Sequence, residues 1–498
     1  MRMSEPRVRV ALARAEDGYL GIEAPFDPDF AVPELGGLYG DRSDVGSPNP
    51  VYRAVRSALA ALGLDGDRAG KADWNPLGDL VSEGGRVVLK PNLIRHFNPG
   101  EGSVESVVTH GAFLRVVADY AWLAVGRNGS VVIAEAPQQD CKWAIVSEYA
   151  GIDRLVDHFA RIGLTLEVVD IRREEVDLVD GIVVGRVTLP GDPAGYRVVD
   201  LGDLSFFSES GLDAKRFRGA DYDPGPTSEH HSNGRNEYLI SETVLSSDLV
   251  INLPKLKTHK KTGVTLALKN LVGINGDKNW LPHHTLGNPE EGGDEYPGQK
   301  TIDRWRSRAT EIARPLLGRG LGLSLFRFVR RFEDKVRGED FIRSGNWYGN
   351  RTTWRMCLDL NRCLYYSDRD GFHPDADGPV RQVLTILDGI VAGDCSGPLT
   401  PRDVPLGAVI ASTDPVAVDL AAMRLMQFDP DRVPKVREAM RGGQLSISSV
   451  REPSDVKVMV TDALNSDLTQ VVRSLDQIRS ETPFRPHAGW VGHVEASS

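Results

Sequence analysis

Hydrophobic residues along this chain come in short uninterrupted runs, separated by longer amphipathic stretches. Residues 8–13 (VRVALA), 86–89 (RVVL), 130–134 (SVVIA), 164–170 (LTLEVVD) and 249–253 (LVINL) are runs of strand length. Residues 51–62, 112–125 and 152–162 carry the spacing of helices. Short continuous strands alternating with helices predict a parallel sheet covered on both faces. Further on, the pattern predicts helices at 352–365 and 415–426, and strands at 383–387, 406–410 and 456–460. The second of those helices opens on Pro415, with Thr413 or Asp414 as its cap.

The expected fold class is therefore α/β: a mostly parallel sheet covered by helices, in two lobes with a ligand crevice between strand-end loops. Residues 1–300 form the main α/β lobe and 301–345 a helical insertion broken at 318–322. Residues 346–482 form a second α/β portion completing the core, and 483–498 a flexible tail. At 498 residues the chain is too long for one small core.

In such sheets ligands bind beyond the carboxyl ends of the strands. Lys90-Pro91-Asn92, Glu135-Ala136-Pro137 and Pro254-Lys255-Leu256-Lys257 each follow an expected strand directly. If those strands share a sheet, the three polar loops converge. The third opens the richest stretch of the chain: residues 249–284 hold six lysines (Lys255, Lys257, Lys260, Lys261, Lys269, Lys278) and three histidines (His259, His283, His284). The whole chain carries a formal charge of −11, so this is a local reversal of sign suited to an anion, a metal or both.

The acidic balance argues against a nucleic-acid partner. No apolar stretch at the start has the length of a signal peptide or membrane span, so a cytoplasmic protein without a membrane partner is expected. Four scattered cysteines with no C-x-x-C pair give neither a disulfide framework nor an iron–sulfur cluster. No Walker sequence, G-x-S-x-G elbow or H-E-x-x-H is present. Homo-oligomer formation stays open.

Lys90-Pro91-Asn92, Thr109-His110, residues 248–273 (DLVINLPKLKTHKKTGVTLALKNLVG), Leu387-Asp388-Gly389-Ile390 and Thr413-Asp414-Pro415-Val416-Ala417-Val418-Asp419 together resemble the family called domain of unknown function 362. The resemblance runs from about Arg86 to about Pro434. Some members carry ferredoxin-like cysteines, which this chain lacks. More distantly, the order His259, Lys269, then His283 or His284 is similar to the series of nickel-pincer lactate racemases. That similarity implies a lysine anchoring a nicotinic-acid-derived cofactor, with histidines binding nickel or handling a proton. The Leu266-Ala267-Leu268 approach to Lys269 departs from the glycine-rich approach in that family.

These readings converge on a small anionic substrate, carboxylate or phosphate. Lys90, Asn92, Lys255, Lys257 and Asn270 are expected to bind it, with His259, Lys269 and Glu135 catalytic. His283, His284 and Asp277 are the expected ligands of a divalent metal, whether iron, nickel, zinc or magnesium. Rival readings are nickel-pincer-like chemistry on a 2-hydroxy acid, and a non-catalytic metal or anion carrier. Each residue also has a plainer explanation: Lys269 as a snorkelling surface lysine, Glu135 as a loop ion pair, Asn92 as a turn residue. Lys260 and Lys261 fall in a polar turn and are expected to be hydrated and dispensable.

Overall fold

The computed structural model describes residues 8–15, 18–39, 49–179, 182–219, 224–298, 307, 342, 344–463 and 468–496. Nearly all of the expected helical insertion at 301–345 lies outside them. One sheet of eleven strands organises the described residues. In chain order the strands are β1 (Val8–Arg14), β2 (Arg86–Pro91), β3 (Ser130–Glu135), β4 (Leu166–Asp170), β5 (Leu249–Leu253), β6 (Lys255–His259), β7 (Gly263–Val264), β8 (Gln382–Ser396), β9 (Thr400–Ser412), β10 (Val456–Asp462) and β11 (Gln470–Arg473). Across the sheet the order is β11-β10-β1-β9-β8-β5-β2-β3-β4, with β6 paired to β8 and β7.

From β4 through β3, β2 and β5 to β8 every pairing is parallel. Beyond β8 the sheet turns antiparallel through β9 to β1, and β1 pairs in parallel with β10. This is the mostly parallel α/β sheet that the apolar runs predict. Alternate side chains of its central strands enter two separate cores: Val88, Val132 and Val250 on one face, Val87, Val131 and Ile251 on the other.

Helices cover both faces. The helices α1 (Pro50–Leu62), α2 (Gly111–Val125) and α3 (Ile152–Arg161) fill one core, while α4 (Leu266–Asn270), α5 (Thr353–Tyr365) and α6 (Pro415–Met426) fill the other. Their ends follow from local chemistry. Asn49 accepts the Tyr52 N–H ahead of α1, and Gly63 ends that helix at φ 79°, a conformation a β-carbon disfavours. Asp414, one of the two expected caps, accepts the Val416 and Ala417 N–H groups of α6.

Three local differences from the sequence pattern matter for the site. Residues 255–259, expected as a loop, form a strand. The hairpin β8–β9 extends past its apolar runs, and its overhang gives Lys255 and Lys257 partners at Asp388 and Gly393. Residues after 482, expected as a flexible tail, pack instead, with Phe484, Trp490 and Val494 buried. The Trp490 indole N–H donates to the Lys260 carbonyl at 2.9 Å, pinning the turn after β6. Among the described residues no helix is long and apolar enough to cross a membrane.

Candidate functional site

Adjacent parallel strands bring the KPN segment and Glu135 side by side. The Lys90 ammonium lies 2.6 Å from Glu135 Oε2. Burial pulls the Lys90 pKa below its ordinary value, and the Glu135 charge opposes that pull. The pair is roofed by Gly273, where a β-carbon would collide with Glu135 Oε1 and Lys90 Nζ. Glycine is required there by close approach.

Asparagines carry the network onward. Asn270 Oδ1 accepts from Asn92 Nδ2 at 2.8 Å, and Asn270 Nδ2 donates to Asn252 Oδ1 at 2.7 Å and to the Lys90 carbonyl at 3.2 Å. Lys257 Nζ donates to Asn92 Oδ1 at 3.1 Å and to the Val107 carbonyl. Thr109 ties the strand ends together: its hydroxyl accepts the Asn92 N–H and donates to the Leu253 carbonyl. Lys90, Asn92, Glu135, Lys257 and Asn270 are thus one bonded unit at the ends of β2, β3 and β5.

Lys255 points elsewhere. It pairs with Asp388 at 2.8 Å and meets the Tyr19 hydroxyl at 3.1 Å, and Tyr19 in turn bonds Asp388 and stacks on His110 with ring centroids 4.1 Å apart. A further buried pair, Lys435 with Asp419 at 3.1 Å, lies under α4. Both are ion pairs closed within the protein.

Four lysines have no such closure. Among the described residues Lys257, Lys261, Lys269 and Lys278 have no carboxylate partner. Lys257 and Lys278 donate only to neutral oxygens, and Lys261 to the Ser344 carbonyl. Lys269 is 9% exposed at the end of α4, and its ammonium makes no hydrogen bond among the described residues. Burial is the main cause that lowers all four pKa values, to about 7 for Lys261 and Lys278. The Lys269 charge contributes to the lowering at Lys257, Lys261 and Lys278 alike. It also acts on His259 and His283.

His259, at the end of β6, accepts the backbone N–H groups of Lys261 at 3.0 Å and Thr262 at 3.3 Å on its Nδ1. Burial first, then Lys269, holds it well below the ordinary histidine pKa. His283 is only partly buried, its Nδ1 is 2.8 Å from the Leu281 carbonyl, and burial pushes its pKa down to about 3. The other expected metal ligands are not grouped with it. His284 is in a two-residue strand paired to Phe217–Arg218, and Asp277 caps the Asn279 N–H and faces Arg173 at 3.5 Å. Among the described residues no three His, Cys, Asp or Glu side chains gather closely enough to hold a metal ion. Nor does His259 fit nickel through Nε2, because that needs a proton on Nδ1, where two N–H groups already point.

The sequence pattern counts Lys278 in the cationic stretch without giving it a role, passes over Asn252, and misjudges Lys261. That side chain is half-buried and bonded, not a hydrated ammonium, because Ser344 and the packed tail close over its turn. Asn252, a lone amide in an apolar strand, was the available signal. The two tryptophans at 347 and 354 are packed, while Tyr348 is exposed: Trp347 donates to the Asp294 carbonyl, and Trp354 is buried beneath the Arg355 guanidinium at 4.1 Å.

Residues 201–424 match the family model described as Domain of unknown function (DUF362), which bears out over that segment the resemblance carried by the motifs. Lys90, Asn92 and Glu135 fall outside the matched residues. A thylakoid-associated protein of Synechocystis sp. is 25% identical over 214 residues, covering 43% of this chain and 43% of that protein. The matched stretch is thus under half the length of that relative. No solved structure matches the chain.

Proposed function

We propose that this chain is an enzyme that binds a small anionic molecule, a carboxylate or phosphate, around Lys269. The observation that carries the reading is a set of four lysine side chains, three buried and Lys261 half-buried, none with a carboxylate partner among the described residues. An isolated buried ammonium is costly, and the folded chain answers by lowering these pKa values. An arriving anion reverses that cost and restores their protons. Lys257, Lys261, Lys269 and Lys278 would neutralise the ligand, while Lys90, Glu135, Asn92 and Asn270 hold the floor beneath them. In this reading Glu135 is a positioning residue, because Lys90 and Gly273 enclose it.

Titrating the purified protein with inorganic phosphate and with small carboxylates, by calorimetry, tests the reading. Binding with proton uptake at pH 8 supports it, and no heat from any small anion removes it. A second reading, a divalent ion at the site, rests on His283, whose Nε2 makes no hydrogen bond among the described residues. We read the protein as cytoplasmic. The relative's name makes association with an internal membrane the alternative, which cell fractionation distinguishes.

A further inference from the structure

The His259 and His283 imidazoles are wired oppositely. At His259 two backbone N–H donors converge on Nδ1, so the ring proton belongs on Nε2. A proton on Nδ1 would face both donors. At His283 the partner of Nδ1 is the Leu281 carbonyl, 2.8 Å away, which can only accept. The proton therefore resides on Nδ1, and Nε2 keeps its lone pair. Neither Nε2 makes a hydrogen bond among the described residues. Lys261 links the two rings: its backbone N–H donates to His259 Nδ1 and its ammonium to the Ser344 carbonyl, while Asn350 Nδ2 donates to both the adjoining Gly345 carbonyl at 2.9 Å and the His283 carbonyl at 3.1 Å.

Resting on the anion-binding reading, we propose that His259 is the fixed hydrogen-bond donor of the site and His283 its fixed acceptor, so that the ligand is an oxyanion bearing its own O–H, namely a hydrogen phosphate or a phosphate monoester. The lysines supply charge and donors, which any oxyanion satisfies. His283 Nε2 supplies an acceptor, which the O–H of a hydrogen phosphate satisfies. A sulfate, or a carboxylate without a hydroxyl, turns a lone pair toward that nitrogen and leaves it unpaired, and a polar group left unpaired by one ligand discriminates strongly between similar ligands. His259 Nε2–H bonds an unprotonated oxygen of the same group. A non-bridging P–O of the phosphate meets that need.

The test uses the full chain with nitrogen-15-labelled histidine. Long-range proton–nitrogen spectra, assigned by loss of signals in His259→Gln and His283→Gln, report each tautomer. The expected result is Nε2–H at His259 and Nδ1–H at His283; the same tautomer at both rings, or the reverse pair, overturns the inference. Calorimetry with inorganic phosphate and sulfate then reads the selectivity. Phosphate should bind at least about tenfold tighter than sulfate in the natural protein, falling below about threefold in His283→Leu. Equal affinity for the two ions in the natural protein overturns the selection but leaves the anion site standing. Binding of neither ion overturns both. The tautomers are read in the natural chain, with His283→Gln serving only for assignment, so a misfolded His283→Leu does not rescue a wrong tautomer.

Discussion

Asn92 and Asn270, 178 positions apart, face each other with Asn92 Nδ2 donating to Asn270 Oδ1 at 2.8 Å. That bond joins the end of β2 to the helix that carries Lys269. Because Asn270 also holds Asn252 and the Lys90 carbonyl, one side chain ties together β2, β5 and α4.

Asn270→Ala should therefore cost about 3 kcal/mol or more, since it strips partners from several buried groups at once. Chemical denaturation checks this: the midpoint should fall with little change in slope. Asn270→Asp should not rescue stability, because two acceptors would then face a carboxylate in place of the Nδ2 donor.

Lys269→Met keeps the stem and removes the charge. The fold should persist, because burial of this ammonium opposes stability and no partner is left behind. Phosphate affinity should fall by at least about tenfold, roughly 1.4 kcal/mol. Lys261→Met should weaken binding measurably too, contrary to what its polar turn suggests. Calorimetric titration of both variants decides.

Stability should rise with pH between about 7 and 10. Lys261 and Lys278 lose their protons near 7 when folded, against an ordinary value of 10.5, so between those limits the unfolded chain holds more protons. At the acid end His283, with its folded pKa of about 3 against 6.5, makes stability fall as pH drops through that window. Saturating phosphate should flatten the alkaline rise by keeping the lysines charged. Thermal melts across pH, with and without phosphate, read both effects.

If a divalent ion copurifies, His283→Ala should release it, while Asp277→Asn and His259→Gln should retain it. Asp277 is occupied as a cap, and His259 Nε2 carries a proton. Elemental analysis of the three variants reads the outcome. Loss of metal in Asp277→Asn would contradict the geometry.

Trp490→Ala should destabilise the protein by about 3–5 kcal/mol, the usual cost of truncating a buried aromatic residue. It should also loosen the turn that orients His259. Gly263 is at φ 75°, and a β-carbon there would approach the Trp490 ring to 3.1 Å, so the two are fitted to each other. Hydrogen exchange at residues 260–263 should accelerate in the variant.

The apolar runs at 86–89, 130–134 and 249–253 were legible because a strand buried on both faces has to be apolar throughout. The strand 255–259 was not, since alternating lysines read as a solvent-facing loop, and its partner arises from a hairpin over a hundred residues later. The convergence of Lys90 with Glu135 followed from strand-end logic. The grouping of Lys261 and Lys278 around Lys269 did not. Whether a lysine is buried depends on chain that covers it, such as Trp490, and local sequence is silent about that. Tautomers are similarly invisible: the ring of His259 is set by two N–H groups in the next turn, and that of His283 by a carbonyl behind it.

Strand β1 lies between β9 and β10, Val8 opposite Val456 and Ala11 opposite Ala411. On the ribosome β1 thus emerges ahead of both these partners and waits for some four hundred further residues. At typical elongation rates of ~5–20 residues per second, the wait lasts tens of seconds. Throughout that time Val10 and Leu12, both destined for full burial, need shelter from other chains. Sections such as β2 through β4 can begin to assemble meanwhile, but β1 is seated only by β9 and β10. A nascent chain stalled before residue 400 is therefore expected to hold residues 8–14 unprotected, cut there by proteases that the finished protein resists.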